Sequence, residues 1–150
     1  MPPRPGTDAA KAFFADCSDQ SEWLQILMKY DEALEMVAVA KKNKDLIKRD
    51  KFWREGFPAA VQMRTPPHFT LSELSDVMAW KLLRGKFRPL QKLCDSNPSD
   101  TVIAASTAAF KCVTIDGKKS DWKGAMKALT SLKAIGEATA RLLIMLISPD

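Results

Sequence analysis

The stretch Leu129-Thr-Ser-Leu132-Lys-Ala-Ile135-Gly136-Glu-Ala-Thr139-Ala-Arg-Leu142-Leu-Ile-Met-Leu-Ile147 decides the reading of this chain. Leu129, Leu132 and Ile135 precede a single glycine, and Ala140, Leu142 and Leu143 follow it. The spacing predicts a helix, a tight turn through Gly136, and a second helix that starts at once. Gly136 is expected to supply the positive φ that a sharp helix-to-helix turn often requires. It also brings no side chain that would keep a ligand's oxygens from the backbone. The first amides of the second helix, Glu137 to Thr139, have no intrahelical acceptor and sit at the positive end of the helix dipole. Such an end suits an anion, and a nucleic-acid phosphate is the natural candidate.

Working outward, the chain reads as helical almost throughout. Asp19 and Glu22 are spaced as a capping box for a long helix over Asp19 to Lys42. Trp23, Ile26, Leu27, Tyr30, Leu34, Val37 and Lys41 would form the stripe on which that helix packs. A second helix is expected from Asn43 to Glu55, with Leu46, Trp53 and then Phe57 inward. Gly56, Pro58 and Thr65-Pro66-Pro67 should end it. Thr70-Leu-Ser-Glu73 is a capping box for a third helix carrying Leu71, Leu74, Met78 and Leu82 and stopped by Gly85. A short segment from Pro89 to Cys94 follows. Val102, Ser106, Ala109, Phe110 and Val113 mark a fifth helix after Asn97-Pro98. A turn over Asp116 to Ser120 then leads to a helix capped by Ser120 and holding Trp122, Ala125, Met126 and Leu129. Only Phe110 to Ile115 has any strand character. The fold class is all-α, a multi-helix bundle: a flexible tail over residues 1–18, then one helical domain over 19–150 ending in the paired helices at about 121–147.

The segment Leu132-Lys133-Ala134-Ile135-Gly136-Glu137-Ala138-Thr139-Ala140 resembles the helix-hairpin-helix motif of the DNA glycosylase-like superfamily, whose pattern is Leu-x-Gly-hydrophobic-Gly-x-x-Thr-Ala. The second glycine and the Thr-Ala pair match. Ala134 replaces the first glycine, and Glu137 puts a negative charge on the path of a phosphate. The resemblance covers the nineteen residues quoted at the outset. Trp80 to Leu90 also looks like a segment that precedes such a hairpin in an uncharacterised eukaryotic group. The resemblance implies non-sequence-specific DNA binding of a repair type, with Lys133, Ala134, Gly136, Ala138 and Thr139 at the backbone. RNA is the alternative ligand.

Charge adds a second, independent indication. Residues 1–40 hold three basic and seven acidic side chains, residues 41–92 thirteen and five, and residues 93–150 seven and six. A basic middle in a near-neutral frame suits a polyanion-binding face, to which Arg84, Lys86 and Arg88 would belong. Lysines that merely solvate helix faces would produce the same count.

Catalytic chemistry is harder to find. The resemblance implies a catalytic aspartate well beyond the last hairpin glycine and, in some members, a Schiff-base lysine two residues past that glycine. Ala138 occupies the lysine position, which removes amine-nucleophile chemistry. Asp150 lies fourteen residues after Gly136 and reads as a solvated acid, so no catalytic residue is expected. Leu142 to Ile147 is apolar on every face and should be buried all round. Either that helix lies in the middle of the fold or a C-terminal part has been lost, and the sequence reading favours loss. His68, the single histidine, reads as a surface or capping residue of a proline loop. Trp23, Trp53, Trp80 and Trp122 each fall on or beside an apolar stripe, so core packing is favoured over base stacking.

Cys17, Cys94 and Cys112 are odd in number and far apart, which suits buried thiols in a reducing compartment. The opening residues have no apolar signal core, and no apolar run reaches membrane-spanning length. An intracellular location, nuclear or cytoplasmic, is expected, with no membrane partner. No ligand-spaced group or glycine-rich loop points to a metal or nucleotide cofactor. Two further readings remain open: a base-excision glycosylase truncated before its aspartate, and a helical protein-interaction module whose hairpin is structural.

Overall fold

A computed structural model describes residues 19–113 and 121–147. The expected tail over 1–18, the turn over 116–120 and Asp150 fall outside those residues. All regular structure among the described residues is helical. Phe110 to Val113 is helix, so the strand character of that stretch is overridden where it is described. The chain divides into two compact units, Met1–Val37 and Ala38–Asp150. The division falls inside the long first helix expected from the sequence.

That helix is two elements, α1 (Gln20–Met28) and α2 (Tyr30–Ala40), separated at Lys29. The Lys29 amide bonds Ile26 O at 3.1 Å, tightening the turn. Asp19 caps α1 as expected, but its carboxylate accepts from the Ser21 amide at 2.8 Å. The expected packing stripe is largely exposed: α1 has no buried residue, and Ile26 and Leu27 are 51% and 64% accessible. Leu34 alone of that stripe is buried. Leu24, Met28, Met36 and Val39 make these helices apolar over most of their girth, so periodicity could not specify a buried face. A C-terminal cap ends α2, with Asn43 N bonding Ala38 O and Lys42 N bonding Val39 O, both at 3.0 Å, and Lys42 at φ 52°. This is the Schellman pattern with lysine at the position glycine prefers.

In the second unit, α3 (Asp45–Lys51) does not end at Glu55. It runs through a π turn (Phe52–Gly56) into α4 (Phe57–Gln62). Pro58 has no amide to donate and its ring would collide with the carbonyl of Arg54 in a regular helix. The widened turn, in which Phe57 N–H reaches Phe52 O, absorbs that conflict. Arg64 then pins the loop to the next helix. Its two terminal nitrogens bond the Glu73 carboxylate, each at 2.7 Å, and Nη1 also donates to His68 O at 3.0 Å.

Helix α5 (Leu71–Arg84) begins with the expected capping box, Thr70 with Glu73, and ends at Gly85. Helix α6 (Gln91–Asp95) starts two residues later than expected. All five residues read as the inward stripe of α7 (Ser99–Val113) are buried. Helix α8 (Trp122–Thr130) is capped by Asp121, not Ser120, with Asp121 Oδ1 accepting from the Gly124 amide at 2.9 Å. Helix α9 (Glu137–Ile144) is shorter than expected and is not buried all round: Leu143, Ile144 and Leu146 are buried but Met145 is 55% accessible.

The core of this unit joins Phe57, Phe69, Leu74, Met78, Val102, Phe110, Leu129, Leu132, Ile135, Leu143 and Ile144. Helix α7 is its spine, packing on α8, α9 and α5. Aromatic contacts run from Phe57 to Phe69 (6.1 Å between centroids) and on to Phe110 (5.8 Å). Ser106, fully buried on α7, accepts the Phe69 amide at 3.1 Å and so fixes the backbone just before α5. Cys94 is buried, and desolvation followed by the nearby Asp95 charge pushes its thiol up to about 11. Cys112 is half-buried. Among the described residues no helix is long and apolar enough to cross a membrane.

Candidate nucleic-acid interface

The turn between α8 and α9 is held by Asn97, a side chain from elsewhere in the second unit. Asn97, buried after α6, accepts the Lys133 amide at 2.8 Å and donates to the Lys133 carbonyl at 3.1 Å and to Cys94 O at 2.7 Å. One primary amide thereby satisfies both polar groups of Lys133, as a neighbouring strand would. Leu132 and Ile135 point into the core on either side. The Ile135 amide bonds Leu132 O at 3.3 Å, closing a four-residue turn.

The positive φ does not fall where the sequence placed it. Gly136 has φ −91° and ψ 179°, ordinary extended backbone at the N-cap of α9. Ala134 has φ 68° instead. Ala134 is the third residue of the Leu132–Ile135 turn, where a left-handed residue is required and glycine is preferred. This is also where the resembled motif carries its first glycine. What Gly136 contributes is space: a Cβ built there would meet nothing within 4 Å.

Gly136, Glu137 and Ala138 are exposed. Thr139 is not: only 1% of it is accessible. The Thr139 side chain is held by a residue that sequence reading counted among the basic middle but did not assign to the site. Lys81, on the last turn of α5, donates from Nζ to Thr139 Oγ1. The contact brings an ammonium to the first turn of α9, whose opening amides lack intrahelical acceptors. The first amide with such a partner is Ala140, bonded to Gly136 O at 2.9 Å. A contact across 58 residues leaves no trace in local spacing, so only the fold could reveal it.

The remaining expected residues divide. Lys133 is exposed on the turn, and Lys86 and Arg88 are exposed on the loop after α5. Between them Phe87 is 73% accessible. Arg84 is exposed but lies over the Trp80 ring, 5.3 Å from its centroid. Trp80 is itself buried and stacked on Trp53 at 4.9 Å, and its indole N–H donates to the buried Asp50 at 2.9 Å. Both ends of that loop are tied near the turn, α5 through Lys81 and Thr139, α6 through Asn97 and Lys133. Core packing therefore accounts for Trp53 and Trp80, while Trp23 and Trp122 are 37% and 43% accessible. His68 Nδ1 lies 2.8 Å from Pro66 O, a local loop contact.

The arrangement offers hydrogen-bond donors and positive charge to an anion, with Glu137 as an opposing charge. Among the described residues no three His, Cys, Asp or Glu side chains gather as metal ligands. Comparison of the chain with protein-family models, with curated proteins and with solved structures finds no match.

Proposed function

We propose that the chain binds the sugar-phosphate backbone of duplex DNA, without sequence preference, in the manner of a helix-hairpin-helix. The observation that carries this reading is the Lys81–Thr139 contact, which adds a cation to the helix terminus at which Gly136 leaves open space. Helix N-termini favour anions through both their free amides and their dipole. Lys133, Lys86 and Arg88 would extend the positive field along the phosphates. No catalytic group is assigned, and Ala138 supplies no nucleophile.

Anisotropy of a labelled duplex measured across a salt series tests the proposal. Affinity should fall as salt rises, Lys133→Ala should weaken binding, and Glu137→Lys should strengthen it. Lys133 is exposed, so thermal unfolding of its variant should stay within about ±0.5 kcal/mol, while Glu137→Lys exchanges a favourable acid for a cation in the first turn of α9 and should cost about 1 kcal/mol. Lys86→Glu with Arg88→Glu should flatten the salt dependence by about 0.9 in slope for each phosphate that goes unneutralised. Arg84 is the poorer probe because its substitution also removes the stacking on Trp80. Parent-like binding by the Lys133 and Glu137 variants alike would reduce the hairpin to a turn.

A further inference from the structure

The outer faces of α8 and α9 enclose an open groove of about 740 Å³. Helix α8 turns Ala125 and Leu129 into the core, which leaves Trp122 and Met126 to line the groove on its other side. With Met145 at the end of α9 they make an apolar floor. Trp122 and Met145 are 43% and 55% accessible, and two large apolar side chains left uncovered in one concavity mark a binding surface. The charged side chains lining the groove are Lys123, Lys127 and Arg141, with Glu137 as the single acid, all four exposed.

Shape and charge together define what fits. A trough between two helices accepts a third, whose ridge of side chains fills it. Helix α8 has nine residues, about 13 Å at about 1.5 Å each, long enough to seat anchors at i, i+3 or i+4, and i+7. Methionines suit such a floor, because the unbranched thioether chain adapts to the anchor presented. Three cations against one acid leave excess positive charge around it, so the side chains flanking the anchors should be carboxylates. Nucleic acid would satisfy the cations, but apart from a base on Trp122 it would leave the floor without an apolar partner.

We propose that the α8–α9 groove binds an acidic amphipathic helix of a partner protein. Apolar anchors of that helix pack on Trp122, Met126 and Met145, and carboxylates beside them meet Lys123, Lys127 and Arg141. The apolar contact supplies most of the affinity, and the cations select an acidic partner over a basic one. Lys81, Lys86, Arg88 and Lys133 do not line the groove, so this site stands or falls independently of DNA binding.

Anisotropy of labelled synthetic peptides, measured with the full chain and without nucleic acid, tests the proposal. One peptide of about 15 residues carries leucine at i, i+3, i+4 and i+7 with glutamate on both flanks, and a second has lysine for every glutamate. The parent should bind the glutamate peptide at least about tenfold more tightly than the lysine peptide. Lys123→Glu with Lys127→Glu and Arg141→Glu should reverse that order, a tenfold preference being about 1.4 kcal/mol. The gain of the lysine peptide, with parent-like circular dichroism, shows that the variant is folded. Lys44→Glu with Lys48→Glu and Lys51→Glu makes the same change of net charge at exposed residues that do not line the groove, and it should keep the parent's order. Trp122→Ala should weaken the glutamate peptide at least about fivefold, the loss of an anchor worth about 1 kcal/mol. A parent that binds neither peptide, or both equally, would overturn the proposal. So would an order that the groove reversal leaves in place, or one that the distant reversal also inverts. If the parent binds neither peptide and the groove reversal abolishes duplex binding, the groove belongs to nucleic acid and the proposal falls.

Discussion

Ala134 shows how a single residue can keep a backbone shape that its own chemistry resists. A non-glycine residue in the left-handed region costs about 1–2 kcal/mol, and glycine would relieve it at the expense of a more flexible unfolded chain. Ala134→Gly should therefore stabilise the fold by somewhat under about 1 kcal/mol, a rise of about 2 °C in melting midpoint. A fall in midpoint would mean that packing of the half-buried Ala134 methyl outweighs the strain. Gly136 behaves oppositely. Its φ of −91° suits any residue and its Cβ direction is open, so Gly136→Ala should cost no more than about 1 kcal/mol, the disadvantage of alanine at an N-cap. Any loss of DNA affinity in that variant would then report directly on ligand approach.

At the scale of elements, two long-range clamps set the second unit's connections. Asn97→Ala would remove the partner of the Lys133 amide and carbonyl and should cost about 1–3 kcal/mol, at about 0.5–1.5 for each part-buried hydrogen bond lost. Hydrogen exchange at Lys133 should accelerate in that variant, and unchanged exchange would show that the turn holds without its clamp. The Arg64–Glu73 pair couples the proline loop to the start of α5. Burial alone would raise the Glu73 carboxyl, but the Arg64 fork and the Thr70 amide outweigh it and hold the group below the usual carboxylate range. A lowered folded value means that Glu73 contributes its full stability above the unfolded carboxylate pKa of about 4.3 and loses it as pH falls through the folded value. Melting midpoints between about pH 7 and about pH 3 should drop less in Glu73→Gln than in the parent. Equal drops would assign acid sensitivity to other carboxylates.

Across the whole molecule, buried apolar side chains are concentrated in the second unit, and α1 buries none. Local opening free energy follows such burial. In dilute solution, amides of α1 should exchange far faster than those of α7, whose inward stripe is fully enclosed. Comparable protection in both would mean that something covers α1 even at low concentration. Charge divides along the same chain: the acidic excess lies before residue 41 and the basic excess over residues 41–92. Under the proposed function, that asymmetry puts the polyanion-binding part after residue 40.

The amino-acid sequence alone determined the all-α class, because apolar spacing and capping boxes are local and need no partner. The Thr70–Glu73 box, the stop at Gly85 and the stripe of α7 were legible for that reason. Composition likewise located the basic middle. The tertiary structure decided what depends on neighbours distant in sequence. It carried α3 past Gly56 and Pro58 through a π turn, because packing of Leu46, Phe57 and Val61 outweighed the local helix-breaking signal. Exposure of Trp23 and Trp122 belongs here too, since periodicity marks a face without saying what covers it. The left-handed residue moved from Gly136 to Ala134 because Asn97 and the buried Leu132 and Ile135 fix the turn's register, and that register requires the strain of whichever residue occupies the position.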